Sequence, residues 1–319
     1  MASLIIRRLA LGLVTIWLVS VIIFLGVEAL PGNACTAILQ RDAFGEALAA
    51  CREVMGLNTP ALTRYVEWAG GILRGDLGLS AGGQERISDL VGYRMRNSLL
   101  LAAGALGVGI PLSILAGVIA GLSRDRWPDI VLSVGAILAM TIPEFVAATV
   151  LILVFAIWLG WVPAIVLTPA DAPPLDFFPE FILPCAVLTL LMIAHIMRMV
   201  RASVIEVMAG DYVQMATLKG VPYWRVVWRH ALPNALLPAI NVIALTIAWL
   251  LGGVVVVEVV FNYPGIGRLL VDAISDRDLP VVQAITMIVA ATYVGVNLTA
   301  DILGLMLNPR LRGHVARRT

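Results

Sequence analysis

The chain has 319 residues, of which 60% are hydrophobic and only 13% charged, with a mean hydropathy of +0.95 and a formal net charge of +1. That balance excludes a soluble domain of this size, which would carry far more charge on its surface. Lipid can solvate the excess apolar surface, so the fold class expected is all-α and polytopic in a membrane. The near-neutral total charge points to no particular partner, and no nucleic-acid partner is expected.

A bilayer-crossing helix needs about 20 mostly apolar residues, and six stretches qualify: 9–29, 99–122, 130–161, 181–200, 235–257 and 281–307. The first follows Arg7 and Arg8 like a secretory signal. Its apolar run is longer than the roughly 7–15 residues of such a signal, so a retained helix is expected. The third is too long for one straight span, and Pro143 within it predicts a kink or a break between an interfacial and a spanning piece.

The chain thus divides into an N-terminal helix (1–30), an external element (31–96), a core (97–307) with a cytoplasmic loop at 202–233, and a tail (308–319). The external element is too long for a connector and should be folded. It holds Cys35 and Cys51, which are either a disulfide, if the compartment is oxidising, or two free thiols. No Cys–His cluster has metal-ligand spacing.

Orientation follows from the basic residues of the loops. With the N-terminus inside, the inner segments hold Arg7, Arg8, Arg124, Arg126, Arg198, Arg201, Lys219, Arg225, Arg229, Arg310, Arg312, Arg317 and Arg318 against four acids, Asp125, Asp129, Glu206 and Asp211. The outer segments hold nine basic residues against thirteen acidic ones. Both termini are expected in the cytoplasm.

The inner loop at 201–234 is read as two short helices. The first covers 202–218. Gly220 suits a left-handed C-terminal cap and Pro222 the first turn of the second helix. Trp224, Val227, Trp228 and Ala231 then share one face of the second helix, with Arg225 and Arg229 on another. Pro233 and Pro238 mark the start of the fifth span. Such a helix either rests in the headgroup layer or fills a groove on a cytoplasmic partner with aromatic anchors. The arginines are either partner contacts or positive-inside anchors.

Charged groups at membrane depth are costly and mark functional or paired positions. Glu144, Glu258, Asp301 and Glu28 fall there, with His195 and Arg198 near the inner end of the fourth span. Glu144, His195, Arg198, Glu258 and Asp301 are the candidates for a translocation path, and an interhelical hydrogen bond is the alternative role for each. Asp301 lies four residues after Asn297, on one helical face. Gly78-Leu79-Ser80-Ala81-Gly82 fits a hydrolase elbow pattern, which needs histidine and acid partners. The three histidines fall at the inner side and Ser80 outside, so a serine hydrolase is rejected and no catalytic residue is expected.

The loop also resembles a known motif. ABC importer permeases carry Glu-Ala-Ala, three residues, Gly, nine residues, Ile, one residue, Leu-Pro. Here Gln214-Met215-Ala216, Gly220 and His230-Ala231-Leu232-Pro233 stand at that spacing, although the first two motif positions and the Ile differ. Asp211-Tyr212-Val213 and Lys219-Gly220 are similar to the form found in the dipeptide/oligopeptide/nickel branch. Further segments resemble that branch in order: Leu30-Pro31-Gly32, Met55-Gly56-Leu57-Asn58-Thr59-Pro60, Gly75-Asp76-Leu77-Gly78-Leu79-Ser80, Glu258 with Phe261 and Pro264-Gly265-Ile266-Gly267-Arg268-Leu269, Arg277-Asp278-Leu279-Pro280-Val281-Val282-Gln283, and Asn308-Pro309-Arg310-Leu311-Arg312. The cysteine pair is not associated with the branch.

The resemblance implies a five-helix permease core preceded by an extra N-terminal span, and ATP-driven import of di- or oligopeptides. Nickel chelates, glutathione-like compounds and opines are alternative cargoes. It also implies a second homologous permease, two ATPase subunits that bind ATP and Mg, and an external substrate-binding protein. Asp211, Gln214, Ala216, Gly220, Trp224, Arg225, Trp228, Arg229 and Pro233 would form the coupling surface for the ATPases. The chain itself has no Gly-x-x-x-x-Gly-Lys-(Ser/Thr) phosphate loop, so no cofactor is expected on it. A secondary transporter is the principal rival reading and would need paired broken helices. A passive channel is a third.

Overall fold

The computed structural model describes residues 2–29, 35, 39, 44–54, 58–81 and 85–307. Leu30-Pro31-Gly32, Met55-Gly56-Leu57, most of 31–43 and the 308–319 tail with its arginines lie outside the described residues. The described residues contain no strand, only an isolated bridge between Leu79 and Arg86.

Helix α1 (Ala2–Ala29) is the first span, followed by α2 (Gly45–Val54) and α3 (Ala61–Leu73) in the segment that leads to the second span. Cys35 and Cys51 are joined as a disulfide with a Cα–Cα distance of 5.8 Å. Helix α4 (Ile87–Leu122) has 36 residues and is about 54 Å long at ~1.5 Å per residue. A hydrocarbon core is about 30 Å thick, so α4 starts three turns outside the span expected from apolarity alone. The 12 residues before Leu99 include Asp89, Arg94 and Arg96, which is why a hydropathy reading stops short of them.

The long third stretch is broken. Helix α5 (Trp127–Thr141) and α6 (Glu144–Leu151, continuing as a π-helix over Ile152–Trp158) meet at 111° across Ile142 and Pro143. Proline removes the backbone donor there and holds Ile142 extended. Helix α7 (Ile182–Met208) is the fourth span and runs eight residues past its predicted inner end. The remaining elements are α8 (Asp211–Leu218), α9 (223–235, π-helical over Val226–Ala231), α10 (Leu237–Val260), α11 (Ile266–Ser275) and α12 (Leu279–Leu307). Five of these helices are long and apolar enough to cross a membrane, or six if the bent pair counts as one span.

Helix α7 is the centre of the bundle, packed by α4, α5, α6 and α10. Its contact with α4 is backbone-close because α4 offers small residues there. A Cβ at Gly109, Gly117 or Gly121 would lie within 2.3–2.7 Å of Met192, Val200 or Val204. This is the small-residue packing that substitutes for a hydrophobic driving force in lipid. Helix α1 stands at the periphery against α12, where a Cβ on Gly12 would meet Val294 at 2.7 Å.

Candidate functional site

Two buried polar anchors fix the ends of the bundle, and a helix pair projects from one of them. At one end the carboxylate of Glu258, 0% exposed, accepts from Ser98 Oγ, from the Gly267 amide at 2.7 Å and from the Arg268 amide at 3.0 Å. Ser98 Oγ in turn accepts from the Ile266 amide at 2.8 Å. The carboxylate therefore caps the N-terminus of α11, where unpaired amides and the helix dipole favour a negative charge. Gly265 is required by space, since a Cβ there would sit 2.0 Å from the carboxylate, and one on Gly267 would strike the Val255 backbone at 2.7 Å. The Pro-Gly-Ile-Gly segment is thus shaped to close over Glu258.

The anchor extends sideways. Asn97 Nδ2 donates to Ala170 O and Pro264 O, Tyr263 OH donates to Asn97 O, and Arg96 donates to the carbonyls of Ala170 and Ala172. Ser80 Oγ donates to Asp278 at 2.7 Å, so the Gly-Asp-Leu-Gly-x-Ser segment docks on the corner between α11 and α12. Of the two roles the sequence left open for Glu258, these contacts are those of the hydrogen-bonded one. Full burial and three donors make it a structural cap.

At the opposite end Asp129, 2% exposed, accepts a two-pronged pair from Arg201, Nε at 2.5 Å and Nη2 at 2.7 Å. The Asp125 amide at 3.0 Å and Ser133 Oγ at 3.1 Å complete its shell. The forked geometry suits guanidinium and carboxylate, and it ties the first turn of α5 to α7 two turns before α7 gives way to α8. Sequence reasoning counted both residues as loop charges. Their separation of 72 residues leaves no local signal for the pair.

The helix pair α8–α9 begins where α7 stops at Ala209 and Gly210, so the single helix expected over 202–218 is two. Gln214 donates to the Ala209 carbonyl across that break at 3.1 Å. Helix α8 ends in a Schellman turn. The Gly220 amide bonds Thr217 O at 3.0 Å, the Val221 amide bonds Ala216 O at 3.2 Å, and Gly220 has φ +77°. Val221 and Ala216 pack together beside Val213, Val226 and Ala231. The Ala216 and Gly220 positions thereby acquire a physical reason: one receives the reversing hydrogen bond and the other supplies the left-handed backbone. Pro222 stands one residue before α9 rather than within its first turn.

The face predicted for α9 is corrected. Val226 and Ala231 point into the cluster and Val227 into the bundle core, whereas Trp224 and Trp228 point out, 62% and 69% exposed. The π-turn winds fewer degrees per residue than an α-turn, which separates the two tryptophans from Val227 and Ala231. Tyr212, Met215, Leu218 and Tyr223 are exposed beside them, as are Asp211, Arg225, Arg229 and Pro233. Arg225 lies 5.4 Å over the Trp224 ring.

The remaining membrane-depth residues separate. His195 and Arg198, three residues apart, are exposed on α7. His195 Nδ1 donates to Leu191 O at 3.0 Å with its ring 5.9 Å from Trp249, and Arg198 donates to Met140 Sδ at 3.0 Å. Glu144 is half-buried in the first turn of α6, beside the break. Glu28 pairs with Arg64 at 2.6 Å. Asp301 belongs to α12, and its side chain lies outside the described residues. Among the described residues no group of His, Cys, Asp and Glu has the arrangement of a metal site.

A bundle of five or six apolar spans, pinned at both ends and carrying an exposed helix pair beyond one of them, defines a polytopic α-helical membrane protein. Comparison with known proteins makes this specific. Residues 109–313 match the family described as "Binding-protein-dependent transport system inner membrane component", and residues 1–92 match the N-terminal family of such membrane components. The glutathione transport system permease protein GsiC of Escherichia coli (strain K12) is 34% identical over 313 residues, 98% of this chain and 99% of that protein. A protein of Brucella abortus (strain 2308), provisionally named a peptide transport system permease protein, is 34% identical over 312 residues, again 98% and 99% of the two chains. A chain in the crystal structure of an amino acid ABC transporter with histidines shares the fold at a TM-score of 0.52 and 17% identity, over 70% of this chain and 94% of that one.

The chain belongs to the inner membrane components of binding-protein-dependent transport systems. It is an ABC importer permease of the peptide and oligopeptide group, and works with a substrate-binding protein and ATPase partners.

Proposed function

We propose that this permease imports short peptides, with glutathione-like thiol peptides, opines and nickel chelates as alternative cargoes, and that α8 and α9 are its coupling surface for the ATPases. One observation carries the coupling assignment: six large apolar or aromatic side chains, Tyr212, Met215, Leu218, Tyr223, Trp224 and Trp228, stand exposed on a helix pair held rigid from within by the Val213–Val226–Ala231 cluster. A rigid base with exposed aromatic anchors is what a groove on a cytoplasmic partner requires. Relatives named as glutathione and peptide transport permeases support the cargo class.

The mechanical role follows from connectivity. Helix α8 joins α7 through Gly210, and α9 runs into α10 through Leu236. A push on the pair therefore acts on α7, the centre of the bundle, and on α10, which packs against it, and the Asp129–Arg201 pair passes motion of α7 to α5. A second, homologous permease would complete the translocation path, with His195, Arg198 and Glu144 as the residues of this chain nearest to it. ATP and Mg belong to two ATPase subunits, this chain has no catalytic role, and both its termini are cytoplasmic. Among the described residues one helix pair is sharply bent, whereas the rival secondary transporter calls for a pair of such breaks.

The test is the Trp224→Ala, Trp228→Ala double variant in the assembled transporter. Both side chains are exposed, so folding should change by no more than ~0.5 kcal/mol. As interface anchors each is worth about 2 kcal/mol, so ATPase subunits should dissociate and ATP-driven uptake be lost. Retention of both would refute the assignment.

A further inference from the structure

Helix α3 belongs to the segment that separates the first two spans, yet its contacts carry it into the depth of the first one. Tyr65 OH lies 2.9 Å from Ser20 Oγ, and its ring stands 5.4 Å from that of Phe24, which also lies 6.0 Å from the Trp68 ring. Its neighbour Arg64 reaches the other way, to Glu28 at the end of α1. Two adjacent residues of α3 thus touch α1 at points eight residues, or about 12 Å, apart along its axis. That is possible when α3 crosses α1, with Arg64 directed towards the end of the span and Tyr65 towards its middle.

The helical wheel agrees. At about 3.6 residues per turn, α3 divides into three sectors of similar width. Arg64, Tyr65 and Trp68 form the sector against α1. Thr63 and Glu67 form an exposed polar sector on the Arg64 side. Leu62, Val66 and Leu73 form the third, on the Tyr65 side, and are 74%, 60% and 88% exposed. The apolar sector is therefore directed towards the membrane middle, the depth at which α1 itself exposes Leu18, Ile22 and Leu25 on the rest of its circumference.

We propose that α3 is an interfacial helix. It lies flat in the leaflet at the C-terminal end of α1, the outer one in the orientation given above, with Leu62, Val66 and Leu73 among the acyl chains and Thr63 and Glu67 in water. This is the sector arrangement expected of a helix that rests on a membrane rather than crossing it. The occupant of the apolar stripe is lipid, and the segment between the first two spans is tethered to the bilayer at this helix. Its Arg64–Glu28 and Tyr65–Ser20 contacts would brace the peripheral α1 against lateral movement during transport.

The experiment places spin labels at Leu62→Cys, Val66→Cys, Leu73→Cys, Thr63→Cys and Glu67→Cys, one at a time, in the full complex carried in phospholipid nanodiscs. Both faces of a nanodisc are open to reagents, so the outcome does not depend on which side α3 occupies. The ratio of oxygen to nickel-chelate accessibility should be severalfold higher at 62, 66 and 73 than at 63 and 67. Nickel reaching all five positions equally would put the stripe in water, and neither reagent reaching 62, 66 and 73 would put protein over it; either result overturns the proposal. A second measurement needs no substitution. Phosphatidylcholine with a diazirine in its acyl chain should label Leu62, Val66 or Leu73 of the wild-type protein, and labelling of Leu18, Ile22 and Leu25 on α1 without any on α3 would overturn it as well.

Discussion

Replacing Glu258 by glutamine separates a structural cap from a path residue. The carboxylate accepts three hydrogen bonds inside a site with no exposure. Glutamine keeps one oxygen and turns the other acceptor into an NH2 donor. At least one of the Ser98, Gly267 and Arg268 donors then faces a donor. A buried donor left without an acceptor costs about 1–3 kcal/mol, and the lost bonds are of the stronger, charge-assisted kind. The expected loss of stability is about 2–4 kcal/mol, read as a lower melting temperature of the detergent-extracted complex and a reduced yield of folded chain. Uptake per folded molecule should remain near wild type, because the cap does not meet cargo. A Glu258→Gln complex with wild-type melting behaviour and impaired uptake would refute the reasoning and return Glu258 to the path.

Two further outcomes follow from the same kind of argument. Arg201→Met leaves the Asp129 carboxylate buried without its partner, which should cost about 3–5 kcal/mol, and adding Asp129→Asn should recover part of that loss in a thermal melt. Gly220→Ala meets no atom within 4 Å, so its cost is the left-handed backbone alone, roughly 1–2 kcal/mol. Gly220→Asn should be milder because asparagine tolerates that region, and the order Gly, Asn, Ala in ATP-driven uptake is the check.

The spans were legible because apolar runs of sufficient length have few other uses, and the break at Pro143 and the turn at Gly220 were legible because each residue restricts or frees one backbone torsion. Other features depend on residues far apart in sequence. Asp129 and Arg201 read as solvated loop charges until α5 and α7 are packed side by side. The true start of α4 is hidden because its first three turns are polar, and the inner end of α7 is hidden because Arg201 and Glu206 look like loop residues. Glu258 was recognised as costly, with a path role and a hydrogen-bonded role both left open. The clue lay in the glycines at 265 and 267, whose missing side chains leave room for a carboxylate. The outward Trp224 and Trp228 were assigned with Val227 because an α-helical wheel takes no account of a π-turn.

The central claim is that this chain is the membrane half of an ATP-driven machine, engaged through α8 and α9. The most direct measurement is purification of the tagged chain from its native membrane, followed by mass spectrometry of what accompanies it and uptake assays on the reconstituted material. A second permease and ATPase subunits should copurify, and uptake should require ATP. A chain that purifies alone and accumulates substrate from an ion gradient without ATP would contradict the account.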